Sequence, residues 1–173
     1  LSDDQVLEIQ IIENLQRDDL TELEEAEGYE QLMQHSDIRA DQICEKIGKS
    51  KSYVYGRLKL LDLTHECKTA MREEKLDSSR AILIARIPDT KLQLKALEEA
   101  LKLEWDGSQK NVKAFQRWLQ ENVMLKLEHA VFKITDARLV ESAGACKDCN
   151  KRTGSDPDLF ADVGNADICT DPA

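Results

Sequence analysis

The stretch Ile38-Arg39-Ala40-Asp41-Gln42-Ile43-Cys44-Glu45-Lys46-Ile47-Gly48-Lys49-Ser50-Lys51-Ser52-Tyr53-Val54-Tyr55-Gly56-Arg57-Leu58-Lys59-Leu60-Leu61 decides how this chain folds. Ile43 and Ile47 form one apolar edge, and Val54, Leu58 and Leu61 form a second at i, i+4 and i+7, so two short helices can pack across one core. Gly48 supplies the tight turn between them. Ser50 is a natural N-cap for the second helix. Lys49, Ser50, Lys51, Ser52, Tyr55, Arg57 and Lys59 are left off the buried stripe, offering donors for base edges in a major groove and cations for the flanking phosphates. The same pattern fits an ordinary helical hairpin with solvated charges. Context has to separate the two.

The charge of the whole chain, −10, argues against a polyanion partner until it is divided by segment. Residues 1–37 hold twelve acids (Asp3, Asp4, Glu8, Glu13, Asp18, Asp19, Glu22, Glu24, Glu25, Glu27, Glu30, Asp37) against the single base Arg17, while residues 38–62 carry a net +3. A local basic face is therefore possible inside an acidic chain. A face so modest implies strong dependence on salt and on pairing of two copies. With 34% charged residues, a mean hydropathy of −0.52 and no apolar run near the roughly 20 residues a bilayer span requires, the chain reads as soluble and cytoplasmic, with no membrane partner. It opens at Leu1 rather than Met and stops at Asp171-Pro172-Ala173, which reads as a piece of a longer protein.

Outward from the centre, periodicity predicts an all-α fold. Val6, Ile9, Ile12 and Leu15 recur at intervals of three over 3–16, and the rhythm resumes at Leu23, Ala26 and Leu32 after a break at Asp18-Asp19. Thr21 with Glu24 is a capping box for that second helix. Further helices are expected at 40–47, 51–61, 65–74, 79–86, 91–104 and 109–127, punctuated by Gly48, Asp77-Ser78, Pro88 and Asp106-Gly107-Ser108. In the last of these, Val112, Phe115, Trp118 and Leu119 share a side, either as core or as a contact between copies. Beyond about residue 140 the helical stripe gives way to Gly, Asp, Asn and Cys, so a small loop-rich tail is expected.

At this point the residues resemble a family. Gly48-Lys49-Ser50-Lys51-Ser52-Tyr53-Val54 followed by Arg57-Leu58-Lys59-Leu60-Leu61 resembles the helix-turn-helix of ParB and RepB partition proteins, with a KorB-like DNA-binding domain. Upstream, Ile12-Glu13-Asn14-Leu15-Gln16-Arg17-Asp18-Asp19-Leu20 resembles their ENxQR box. Two motifs in the family's order and spacing are far more specific than either alone. The resemblance covers residues 1 to about 104 and implies a division into 1–36 (end of the family's N-terminal domain with linking helices), 37–104 (helix-turn-helix domain), 105–139 (helical connector) and 140–173 (a truncated Cys-rich tail). It implies sequence-specific binding of a double-stranded, centromere-like partition site for plasmid or chromosome segregation, as a homodimer on DNA, with a ParA-type ATPase as partner of the full-length protein. The expected location is the cytoplasm, in association with nucleoid or plasmid. Fragments such as this one are expected to be mostly monomeric without DNA.

The resemblance also implies a nucleotide switch. In the family, CTP and magnesium bind at the ENxQR box; here Glu13 and Asn14 would lie near metal and phosphates, and Gln16 and Arg17 would hold the phosphate chain. The family's GERR-type box is missing from this chain, so neither CTP binding nor the weak CTPase activity of full-length relatives is expected of it, and the chain is not expected to be an enzyme. A second departure is Leu76-Asp77-Ser78-Ser79-Arg80-Ala81-Ile82, which stands where relatives carry an LSxGHAR segment. Arg80 remains a candidate for DNA contact, but the operator cannot be carried over. Two alternatives stay open: a plasmid transcriptional repressor using the same helix, and a ParB-like nuclease, for which the chain offers no compact acid or histidine cluster beyond the acidic first helices, which read as a solvated face.

The five cysteines divide into two groups. Cys44 and Cys67 sit singly on helical stretches and read as buried small hydrophobes. Cys146-Lys147-Asp148-Cys149, then Cys169 with nineteen residues between, has the spacing of a structural zinc site lacking its fourth ligand, for which the residue after Ala173 is the candidate. A pair of free thiols in a loose tail is the competing reading. With only Leu159, Phe160, Val163 and Ile168 as apolar anchors, the tail is expected to order only with zinc and only when extended beyond Ala173.

Overall fold

The computed structural model describes residues 3–17, 19–36 and 38–172; Leu1, Ser2, Asp18, Asp37 and Ala173, and with them part of the expected break at Asp18-Asp19, lie outside that description. The described chain is mainly helical. In order it runs α1 Asp3–Leu15, α2 Glu22–Ser36, α3 Ala40–Ile47, α4 Lys51–Lys59, a 3-10 turn Leu60–Asp62, α5 His65–Arg72, α6 Ser78–Ala85, α7 Thr90–Leu101 and α8 Val112–Asn122. Two-residue strands β1 Leu125–Lys126 and β2 Ile168–Cys169 pair antiparallel near the end. Two compact units divide between Leu63 and Thr64.

In the first unit, α2 starts where Thr21 and Glu24 close a reciprocal cap: the Thr21 N–H donates to Glu24 Oε2 at 2.9 Å and the Glu24 N–H to Thr21 Oγ1 at 3.3 Å. Glu22, Glu24 and Glu25 in the first turn also suit the positive end of the helix dipole. Leu23, Ala26, Tyr29 and Leu32 then bury one continuous edge. The expected stripe on α1 is shifted. Ile11 is buried and Leu7, Ile12 and Leu15 pack beside it, whereas Val6 and Ile9 stay 39% and 52% exposed. The edge that meets α2 follows spacing of four (Leu7, Ile11, Leu15) rather than three, and both are rows of neighbours on a helix surface.

The second unit is built from helices with side-chain caps at their starts: Thr64 for α5, Asp77 for α6, Asp89 for α7 and Asn111 for α8 each accept a backbone N–H from three residues on. Its core holds Cys67, Ala81, Ile84, Ile87, Ala96, Ala100, Phe115 and Leu119. Gln93 is buried among them, accepting from the Thr64 N–H and donating to the Ile87 carbonyl. The helix expected to 104 ends at Leu101, because Lys102 turns extended and Leu103 bridges back to Gln109 around Gly107 at φ 80°. The helix expected over 109–127 is shorter at both ends. Phe115 and Leu119 fill this unit's own core, with Trp118 stacked on Phe115 at 6.3 Å between ring centroids.

Glu99 on α7 carries a pH dependence. Its side chain, 10% exposed, accepts from Lys102 Nζ at 2.9 Å and pairs with Lys110 Nζ at 3.2 Å. The hydrogen bond from Lys102 chiefly holds its carboxyl below the usual glutamate range. A carboxyl lowered by folding contributes stability that is complete above its unfolded value and lost as the pH falls through its folded one. Thermal melts in mildly acidic buffer should show Glu99→Gln losing less stability on acidification than the parent; parallel pH profiles would reject the assignment.

The tail has more structure than its composition suggests. Ile168, Leu159 and Phe160 are buried, as are Ala145, Thr153 and Thr170. Arg86 from the end of α6 lies over the Phe160 ring at 5.4 Å and pairs with Asp162 at 2.8 Å, and Gln116 of α8 donates to the same carboxylate. Gly154 is required by close approach, since a Cβ there would come within 2.9 Å of the Ala166 carbonyl.

Candidate nucleic-acid interface

The central segment forms the two helices its pattern demands. Ile43 of α3 and Val54 of α4 are fully buried against Tyr29, Leu32 and Ile38, with Ile47 and Leu58 packed at the margin; Leu60 rather than Leu61 closes the core, because α4 tightens into the 3-10 turn there. Between the helices Gly48 takes φ 68°, a left-handed conformation that a side chain disfavours, and its N–H closes α3 on the Cys44 carbonyl. Ser50 caps α4 by accepting the Tyr53 N–H at 3.2 Å. Lys49, Ser50, Lys51 and Ser52 are all exposed around this helix start. No acid occupies the first turn of α4, so the positive end of its dipole stands beside two lysines with no carboxylate in that turn to neutralise it. Lys51 makes a solvated pair with Asp41 of α3 at 2.9 Å, and Lys49 lies over the Tyr53 ring at 5.2 Å.

Arg57 is placed differently. Its guanidinium is turned inward onto α2, where Nε donates to Glu25 Oε2 at 2.9 Å, with both side chains 14% exposed. The Tyr53 hydroxyl donates to the same oxygen at 2.8 Å, the Tyr29 hydroxyl donates to Glu25 Oε1, and the Tyr53 ring lies 4.9 Å from the guanidinium. Burial, with the bonded Glu25 carboxylate next, pushes the Tyr29 hydroxyl well above its ordinary range, so it stays a proton donor. This network ties α4 to α2. Lys59 is tied to Asp62 at 2.6 Å, and Tyr55 is half-buried. The Glu25 and Tyr29 roles were hidden in the sequence because Glu25 is one of twelve acids in the first 37 residues. The available signal was Tyr29, on the buried rhythm of Leu23 and Ala26, whose hydroxyl must find an acceptor.

In the other unit Arg80 is also held internally, its side chain 12% exposed. It donates to Asp77 at 2.6 Å, to the Lys110 carbonyl at 2.6 and 3.0 Å, and to Gln109, fastening the start of α6 to the segment before α8. At the end of α1, Arg17 pairs with Asp19 at 2.8 Å, both well exposed. A cavity of about 310 Å³ is lined by Asn14, Arg17, Asp19, Glu24 and Glu27; Gln16 and Arg17 line a second of about 390 Å³ with Glu25, Lys49 and Tyr53, and Glu13 is exposed. Cys44 and Cys67 are buried. Cys146, Cys149 and Cys169 line one cavity, although among the described residues no three His, Cys, Asp or Glu side chains already stand as a metal-binding set. No described helix is long and apolar enough to cross a membrane.

Two short helices joined by a left-handed glycine, packed on a third helix, with lysines and serines gathered at the start of the second, define a helix-turn-helix unit. The ParB HTH domain model matches residues 18–121, well over half of the chain, and the chain belongs to that family. It is 33% identical over 109 residues to a nucleoid occlusion protein of Lysinibacillus sphaericus and 34% identical over 109 residues to one of Bacillus mycoides, in each case across 63% of this chain and 37% or 38% of the relative. The chain thus spans less than half the length of these curated relatives. Among solved structures, C-terminally truncated ParB from Caulobacter crescentus complexed to the centromeric parS site is similar at TM-score 0.57 and 34% identity, over 68% of this chain and 56% of that one. The DNA-binding domain of the chromosome-partitioning protein ParB complexed to parS gives TM-score 0.51 at 34% identity, over 65% and 86%.

Proposed function

We propose that this chain binds a specific double-stranded DNA site of the centromere-like kind through the start of α4, and that the protein containing it serves segregation of a plasmid or chromosome. The observation that carries the reading is the exposed Lys49-Ser50-Lys51-Ser52 group at a helix start with no acid in its first turn. Lysines there suit phosphates and guanine edges, and serines suit either. Arg57, Tyr55 and Lys59 enter as residues that hold or flank this presentation, while Arg80 braces the start of α6 within its own unit. The similarity to proteins whose structures were determined with parS supports the site class. A homodimer on an inverted repeat follows from the small local charge, and a ParA-type ATPase as partner and a nucleoid or plasmid location belong to the whole protein.

CTP with magnesium enters only for the whole protein. Arg17 is the one cation on a described wall that also carries Asp19, Glu24 and Glu27, and such a set repels a phosphate chain until a further cationic box joins it. The decisive experiment is fluorescence anisotropy with duplexes drawn from the source replicon against a scrambled duplex, at several salt concentrations. A preference of at least about 100-fold, with affinity falling steeply as salt rises, is expected. Equal affinity for both duplexes would reject specific recognition.

A further inference from the structure

The three cysteines of the tail share a built environment that DNA recognition does not use. β1 pairs with β2 in the register Leu125 to Cys169 and Lys126 to Ile168, and Cys169 also bridges Arg152. Thr170 binds the Lys151 carbonyl twice, through its N–H at 3.0 Å and its hydroxyl at 2.9 Å, which draws the Cys169 turn against the turn after Cys149. Cys146 is held on the same side by its N–H on the Ile134 carbonyl at 2.9 Å. All three thiols then line one cavity of about 250 Å³, walled on its other sides by Leu125, Phe132, Leu139 and Val140.

The backbone also addresses one of the sulfurs: Cys149 Sγ accepts the Lys151 N–H at 3.4 Å, from two residues on. An N–H aimed at sulfur stabilises thiolate over thiol. We infer that Cys146, Cys149 and Cys169, which line one cavity without standing as a preformed metal-binding set, close on one zinc-class cation that locks the tail, with an oxygen donor in the fourth position. A soft cation fits three sulfurs better than calcium or magnesium, which take oxygen.

The electrostatics favour a cation over a redox pair. Three ionised thiols facing one small cavity would repel one another, and a positive ion among them reverses that repulsion. A reactive disulfide motif needs the opposite, a lowered thiol at the start of a helix, and neither Cys146 nor Cys149 begins one.

The test is metal analysis of the whole chain purified under reductant, together with alkylation of its thiols with and without added zinc. One zinc per chain is expected, with Cys146, Cys149 and Cys169 protected by zinc and released by chelator. Cys169→Ser and Cys146→Ser should lose the metal, while Cys44→Ser, which alters a thiol outside the cavity, should keep it. Cobalt substitution should add a thiolate charge-transfer band that Cys149→Ser weakens. Absence of stoichiometric zinc, unchanged zinc in Cys169→Ser, or equal alkylation of all three thiols with and without metal would each overturn the site. The alkylation readout needs no variant, so misfolding of a serine substitution cannot disguise the answer.

Discussion

Arg57→Met should destabilise the unit formed by residues 1–63 by about 3 kcal/mol, the low end of what removing one partner of a buried pair costs, since Arg57 and Glu25 keep a little solvent contact. The penalty arises because Glu25 would keep its place under the Tyr53 and Tyr29 hydroxyls while losing the positive charge. Urea titration of the parent and variant measures it directly. Glu25→Gln with Arg57→Met should cost less than the separate losses added together, as expected for groups in one network. High salt should change the difference little, because charges this enclosed are poorly screened. Whatever DNA affinity is lost should fall equally on specific and scrambled duplexes. An unaltered urea midpoint with loss confined to the specific duplex would instead make Arg57 a base-reading residue.

Lys49→Glu combined with Lys51→Glu should have the reverse profile, with DNA affinity reduced at least about 100-fold and stability almost unchanged. Loss of two contacts at roughly 1–3 kcal/mol each gives about 30-fold at the lower end, and repulsion between the two introduced carboxylates and the phosphates carries the loss past about 100-fold; the salt slope should also become shallower. Folding is spared because the losses and gains are small and opposed. An exposed pair with Asp41 and a surface contact with the Tyr53 ring disappear, each worth up to about 1 kcal/mol, while two acids gain a favourable place at the start of α4. Anisotropy and a thermal melt on the same sample separate the two effects. Full retention of DNA binding would move the interface away from α4.

Chain-local physics determined much of this molecule in advance. The Gly48 turn, the Ser50 cap and the limits of α3 follow from residues a few positions apart, because a left-handed φ favours glycine and an orphan N–H needs a nearby acceptor. The reciprocal Thr21–Glu24 cap and the burial of Cys44 and Cys67 are of the same kind. Contacts between residues remote in sequence were settled by the tertiary structure alone. Which row of α1 is buried depended on the surface α2 presents, and α8 stops at Asn122 with Leu125–Lys126 extended beside Ile168–Cys169. Arg57 and Arg80 looked like the other outward cations because periodicity separates apolar from polar positions but does not say which polar side chain finds a carboxylate 32 residues upstream or a carbonyl 30 residues downstream. A long flexible guanidinium takes the acceptor that packing brings within reach, and only the folded chain brings one there.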